Sequence, residues 1–107
     1  MLYELRIYDV VPGRMQALLD RFQNDAISIF ERHGMKVTNF WVDADESKNR
    51  LYYVLEHPNL EIRNQNYDRF RNDPEWIEIR RVTEIEGPLV AKQESIFMKN
   101  ASFFENN

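Results

Sequence analysis

Glu4, Arg6 and Tyr8 alternate along the segment Leu2 to Val10, so in a strand they share one face. Arginine offers a planar fork of donors that matches a carboxylate. The trio is therefore a candidate polar anchor for an anionic small molecule. The structural alternative is a buried Glu4–Arg6 pair that fixes how two sheets dock, since buried charges are tolerated when paired. His57 is the one catalytic candidate, because an imidazole with a pKa near neutrality suits general-base work. Its neighbour Glu56 points to the opposite face of a strand and so cannot orient it. His33 falls in the last turn of a helical pattern, where partial positive charge suits the helix dipole, and is expected to be a helix-end residue.

The aromatic set Phe40, Trp41, Tyr52, Tyr53 and Phe97 has two readings: lining for a planar apolar ligand, or core and interface. Taken together, the ligand-binding candidates are Arg6, Tyr8, Tyr53, His57 and Glu94. Arg63, Arg69, Arg71, Arg80 and Arg81 concentrate positive charge, but acids are interleaved with them and a solvated face is expected. Asn100-Ala101-Ser102 fits a glycosylation acceptor and is read as a chance match. There is no paired-histidine helix motif, no cysteine and, with three glycines, no phosphate loop, so neither a metal nor a cofactor is expected.

These side chains need elements to hold them. Tyr3, Leu5 and Ile7 alternate with the polar trio, which predicts a first strand. Pro12-Gly13 breaks it. Met15, Leu18, Leu19, Phe22, Ala26, Ile29 and Phe30 then form one apolar helical stripe, ended by Gly34 as a left-handed cap. Val37 to Val42 predicts a second strand, Asp43 to Asn49 a hairpin loop and Leu51 to Leu55 a third strand. Asn59 caps a helix over about Leu60 to Asn72 with Leu60, Arg63, Tyr67 and Phe70 inward. Asp73-Pro74 opens a short helix carrying Trp76, Ile77 and the residues Arg80 to Val82. Gly87-Pro88 ends it, and Leu89 to Met98 predicts a fourth strand. The order β-α-β-β-α-β, with one short helix added before the last strand, is the ferredoxin-like α+β pattern with an antiparallel four-stranded sheet.

The chain has 107 residues, of which 43% are hydrophobic and 30% charged, the balance of one globular domain over 1–107 with a tail from about residue 100. Its net charge of −4 disfavours nucleic acid as a partner. No apolar run is long enough to span a membrane. The strand pattern opens at once with no leader pattern before it, and a cytoplasmic protein is expected.

Several stretches carry a family resemblance: the opening YELRIYDVVPGR, then HGMKVTNFWV, LYYVLEHPNLEIRNQNYDRFRNDPEW and VAKQESIFMK. Together they resemble the NIPSNAP family from Tyr3 to about Phe103. The most distinctive pieces are the YELRIY strand, the proline-glycine after it and the NDPEW turn, none of them a catalytic motif. The resemblance implies a domain that pairs sheet to sheet into a dimeric α/β barrel. Relatives by fold include cofactor-free monooxygenases, lactone isomerases and haem proteins, and some of these last use a histidine such as His57 would supply. Small-molecule binding in a pocket of each subunit is the leading expectation. A cofactor-free monooxygenase or isomerase, and a non-enzymatic dimerisation or partner-binding protein, are the alternatives.

Pattern alone also points to a homodimer. Two helices cover only one face of a four-stranded sheet, yet these strands are apolar on both. Val37 and Trp41 are expected on one face of the second strand, with Phe40 and Val42 on the other. In the third, Leu51, Tyr53 and Leu55 oppose Tyr52 and Val54. The uncovered set would exceed the roughly 300–600 Å² of the largest patch on a typical monomer. Phe103-Phe104 would add to such a seam.

Overall fold

The computed structural model describes residues 1–104. Strand β1 spans Leu2–Val10, β2 Lys36–Val42, β3 Arg50–His57 and β4 Val90–Met98. They form one antiparallel sheet in the order β2-β3-β1-β4. Helix α1 (Met15–Arg21) runs through a π-helical turn at Phe22–Ala26 into α2 (Ile27–Arg32). Helices α3 (Leu60–Arg71) and α4 (Pro74–Thr83) lie between β3 and β4. This is the ferredoxin-like α+β order with the added short helix.

One sheet face carries the core. Leu18, Phe22, Ala26, Ile29 and Phe30 from the first helical rod pack with Tyr8, Val10, Leu51, Tyr53 and Leu55 of the strands. Phe70 stacks on Phe30 with ring centroids 4.3 Å apart. The helical stripe is interrupted in a way the periodicity did not predict. At the π turn the Ile27 N–H donates to the Phe22 carbonyl, one residue further back than in an α-helix. Arg21 and Phe22 are both buried there.

The caps follow from side-chain chemistry. Asn59 accepts from the Ile62 N–H at 2.8 Å and Asp73 from the Glu75 N–H at 2.9 Å. Gly34 ends α2 with φ +80°, while the Met35 N–H donates to the Phe30 carbonyl at 2.9 Å. A Cβ at Gly34 would sit 2.9 Å from Asn66 Nδ2, so glycine is required there twice over. His33 lies just past α2, its Nε2 2.6 Å from Asp73, which also accepts from Arg32 at 2.7 Å. It joins two helix ends.

Three expectations change. A bulge in β2 between Val37 and Asn39 puts Val37 on the face of Phe40, not that of Trp41, because one extra residue shifts the alternation. Leu60, in the first turn of α3, is 51% exposed rather than inward. Ile77 is 52% exposed, while Trp76 and Ile79 make the packing contacts of α4.

The opposite sheet face has no helix over it. Tyr3, Leu5, Ile7 and Tyr52 are half-buried there, and Trp41, Ile96 and Met98 are exposed.

Candidate functional site

β1 sends Glu4, Arg6 and Tyr8 toward the helices, not toward the open face. The expectation that a Glu4–Arg6 pair would fix how two sheets dock is therefore corrected: the pair sits under α3, on the core side. Every N–H of Arg6 is satisfied within the protein. Nε donates to the Tyr53 hydroxyl at 2.8 Å, Nη1 to Glu4 at 3.1 Å and to Ser95 at 2.9 Å. Nη2 donates to the Tyr8 hydroxyl and to Gln93, each at 3.1 Å. The Tyr8 and Tyr53 hydroxyls are 2.7 Å apart.

Glu4, fully buried, is the matching acceptor. Arg63 from α3 donates to both its oxygens, at 3.0 and 2.7 Å, and Ser95 donates at 2.7 Å. Burial alone would raise the Glu4 pKa. Hydrogen bonds from His57, Arg63 and Ser95, with the Arg63 charge, outweigh burial and hold the carboxyl well below the usual carboxylate range. Burial likewise opposes the Arg6 charge, and the oxygens of Tyr53, Tyr8 and Tyr67 reverse that and raise its pKa. Burial pushes the Tyr53 and Tyr67 phenols up, so both stay protonated at neutral pH.

Beside this network lies a cleft of about 320 Å³ between α1, α3, α4 and the β1–β4 edge. Arg6, Tyr8 and Gln93 form part of its floor, and Phe22, Phe30, Tyr67, Phe70 and Trp76 its walls. Arg21, Arg63, Arg71 and Arg80 also line it, opposed by the single carboxylate of Glu84. Tyr67 is overlaid by three guanidinium groups, those of Arg63, Arg6 and Arg71 at 4.5, 5.0 and 5.2 Å from its ring centre. Arg21 stacks on Trp76 at 5.0 Å and donates to Thr83 and Glu84. That pins the end of α4 to α1.

The expected set is partly brought together. Arg6, Tyr8 and Tyr53 meet, the first two lining the cleft and Tyr53 bracing them from below. His57 reaches the same network from its far end: it is fully buried, its Nε2 is 2.9 Å from Glu4, and it does not line the cleft. Its Nδ1 has no partner among the described residues. Glu94 is placed elsewhere. It pairs with Ile7 and so shares the open face, while its neighbours Gln93 and Ser95 pair with Tyr8 and Arg6 and take the inner positions. Tyr52 and Trp41 are also on the open face, Tyr52 donating to Asp43.

Arg63 lines the cleft from the inward stripe of α3 where the helical pattern put it, and Arg71 and Arg80, solvent-exposed as expected, stand at the cleft's outer margin. Arg69 and Arg81 do not: Arg69 donates to Asn66, and Arg81 pairs with Glu78. A signal was available. Arg63, Tyr67 and Arg71 recur every four residues, as do Trp76, Arg80 and Glu84, and that spacing puts each trio on one helix face. Arg21 carried no such mark. Among the described residues, no group of three or more His, Cys, Asp or Glu could hold a metal. No helix there is long and apolar enough to cross a membrane.

A four-stranded antiparallel sheet covered by helices on one face, with an arginine- and aromatic-lined cleft at its edge, defines a ferredoxin-like α+β domain. The sequence matches the NIPSNAP family over residues 3–105, and the chain belongs to that family. The fold is similar to that of an uncharacterised NIPSNAP domain protein from Burkholderia xenovorans, with a TM-score of 0.83 at 21% identity, covering 99% of this chain and 100% of that one. It is also similar to a NIPSNAP family protein of unknown function from Agrobacterium tumefaciens, with a TM-score of 0.83 at 23% identity over 97% of this chain and 91% of that one. A candidate antibiotic biosynthesis monooxygenase from Nitrosomonas europaea shares the fold more distantly, with a TM-score of 0.61 at 10% identity over 94% and 98% of the two chains. No curated protein matches the chain.

Proposed function

We propose that this protein binds a small organic acid with a flat apolar body in the cleft between α3, α4 and the sheet. The observation that carries this reading is the lining: five arginines face two carboxylates, Glu4 behind Arg63 and Glu84 at the rim, and aromatic rings stand between them. With Asp68 3.8 Å from Arg71, two positive charges are left uncompensated in a chain whose net charge is −4. A volume of about 320 Å³ suits a compact ligand, at the lower end of pocket sizes. The test is titration calorimetry of the purified protein with a panel of aryl carboxylates, their methyl esters and matched aryl amines. Binding of acids over amines supports the reading, and equal or absent binding of the acids defeats it.

The working form is a two-fold homodimer, each subunit covering the open sheet face of the other. Supporting it are Trp41, Ile96 and Met98, 50%, 40% and 37% exposed, beside half-buried Tyr3, Leu5, Ile7 and Tyr52. Covering such a face contributes about 25 cal/mol per Å², and two-fold pairing is the commonest closed arrangement. A cytoplasmic setting accords with a chain that has no cysteine.

A further inference from the structure

Four of the five arginines that line the cleft form two tiers whose N–H groups are differently engaged, while the fifth, Arg21, is stacked on Trp76 with Nη1 on Thr83 and Glu84. In the inner tier the five Arg6 bonds leave no donor free. Arg63 sets Nε and Nη2 on Glu4 and Nη1 on Asn64 at 3.2 Å. In the outer tier Arg71 makes no hydrogen bond among the described residues, and its nearest carboxylate, Asp68, is 3.8 Å away. Arg80 uses Nε alone, toward Glu84 at 3.1 Å. The outer side chains are 60% and 65% exposed, so their remaining donors face water.

These two tiers treat an incoming anion differently. At Arg6 an acid group must break a buried bond and strand its former partner, which costs the full desolvation of that group. At Arg71 and Arg80 it exchanges water for charge-assisted hydrogen bonds. Between the tiers lie Phe70 and Trp76, ring centres 4.9 Å apart, and Tyr67.

We infer that the cleft binds its ligand with the acid group outward, held by Arg71 and Arg80, and the flat body inward against Tyr67, Phe70 and Trp76. This rests on the small-acid reading and narrows it. The ligand class is a flat monoacid whose inner end is apolar or carries a neutral hydroxyl or carbonyl for Tyr8 and Gln93. A rod-shaped diacid does not belong to it, because its second carboxylate would meet Arg6, whose donors are all engaged, and Arg63, which already gives three of its five to Glu4 and Asn64.

The experiment compares 2-naphthoate, its methyl ester and 2,6-naphthalenedicarboxylate by calorimetry. The proteins are the wild type and the double variant Arg71→Gln/Arg80→Gln, whose exposed sites leave the fold intact, as a thermal melt verifies. The expected result is that 2-naphthoate binds the wild type at least tenfold more tightly than the ester or the diacid does. It should also lose tenfold or more in the double variant. Equal affinity for wild type and variant, or tighter binding of the diacid, overturns the outward orientation while small-acid binding stands. No binding of 2-naphthoate to the wild type also overturns it, and if the whole panel of acids fails as well, the small-acid reading falls with it.

Discussion

Glu4 Oε1 lies 2.9 Å from His57 Nε2, and both side chains are wholly shut off from solvent. The contact joins the only buried acid of β1 to the residue whose chemistry looked most catalytic in the sequence. It gives His57 a bracing role for the carboxylate that Arg6 and Arg63 share.

That arrangement makes stability depend on acid pH. Glu4 has a folded-state pKa below its unfolded value, so the unfolded chain takes up the proton first. The stabilisation is fully present above an unfolded pKa of about 4.3 and falls away as pH drops below it, by up to about 1.4 kcal/mol per pH unit. Asp73, also held low by Arg32 and His33, acts in the same direction. Denaturant melts from pH 7 to pH 2 should show Glu4→Gln less stable at neutral pH and shallower in its acid limb. An unchanged acid slope would remove Glu4 as its source.

Arg6→Gln should fold poorly. It cuts five hydrogen bonds and leaves Tyr8, Tyr53 and Gln93 to re-pair. Breaking a buried pair from one side typically costs about 3–5 kcal/mol. Chemical denaturation reads that loss directly. A variant of wild-type stability that has only lost binding of acids would make Arg6 a ligand anchor instead.

Gly34→Ala should lose at least about 1–2 kcal/mol, the usual cost of a left-handed backbone for a residue with a Cβ. The approach of Asn66 adds to it. Adding Asn66→Ala to Gly34→Ala should recover part of the loss if the steric contact matters. Melts that give strictly additive losses for the two changes would assign the cost to the backbone alone.

Sedimentation equilibrium at micromolar concentration should give about twice the 13.0 kDa subunit mass. Trp41→Glu, at a half-exposed site, should shift the mass toward the monomer without unfolding it. A wild-type monomer under these conditions would defeat the sheet-to-sheet pairing.

Much of this architecture could be read from local patterns. The alternation of β1 needed no tertiary information, so the companionship of Glu4, Arg6 and Tyr8 was legible, as were Tyr53 beside them and the caps at Gly34, Asn59 and Asp73. Parity was the weak point. A strand's faces invert with a shift of one residue, and β4 offered Gln93, Glu94 and Ser95 in a row with no apolar rhythm to set the phase. The bulge near Thr38 hid in the same way. Arg21 was masked because a charged residue beside Phe22 looks solvent-facing until α4 lays Thr83, Glu84 and Trp76 over it. His57 drew attention by residue type, whereas its role follows from register, which pairs it with Leu2 on the inner face.

The fourth helix has no fully buried residue. It is held by Asp73 at one end, by Arg21 at the other and by Trp76 between them. The sheet beneath is tied through every strand ladder. Segments with few buried contacts open at a fraction of the cost of global unfolding. One wall of the cleft is therefore hard and the other yielding, and amide protons of residues 75–83 will exchange with solvent well before those of β1 and β3. A ligand bound in the cleft as proposed should slow exchange in that helix first, which makes the yielding wall the one that reports residence time.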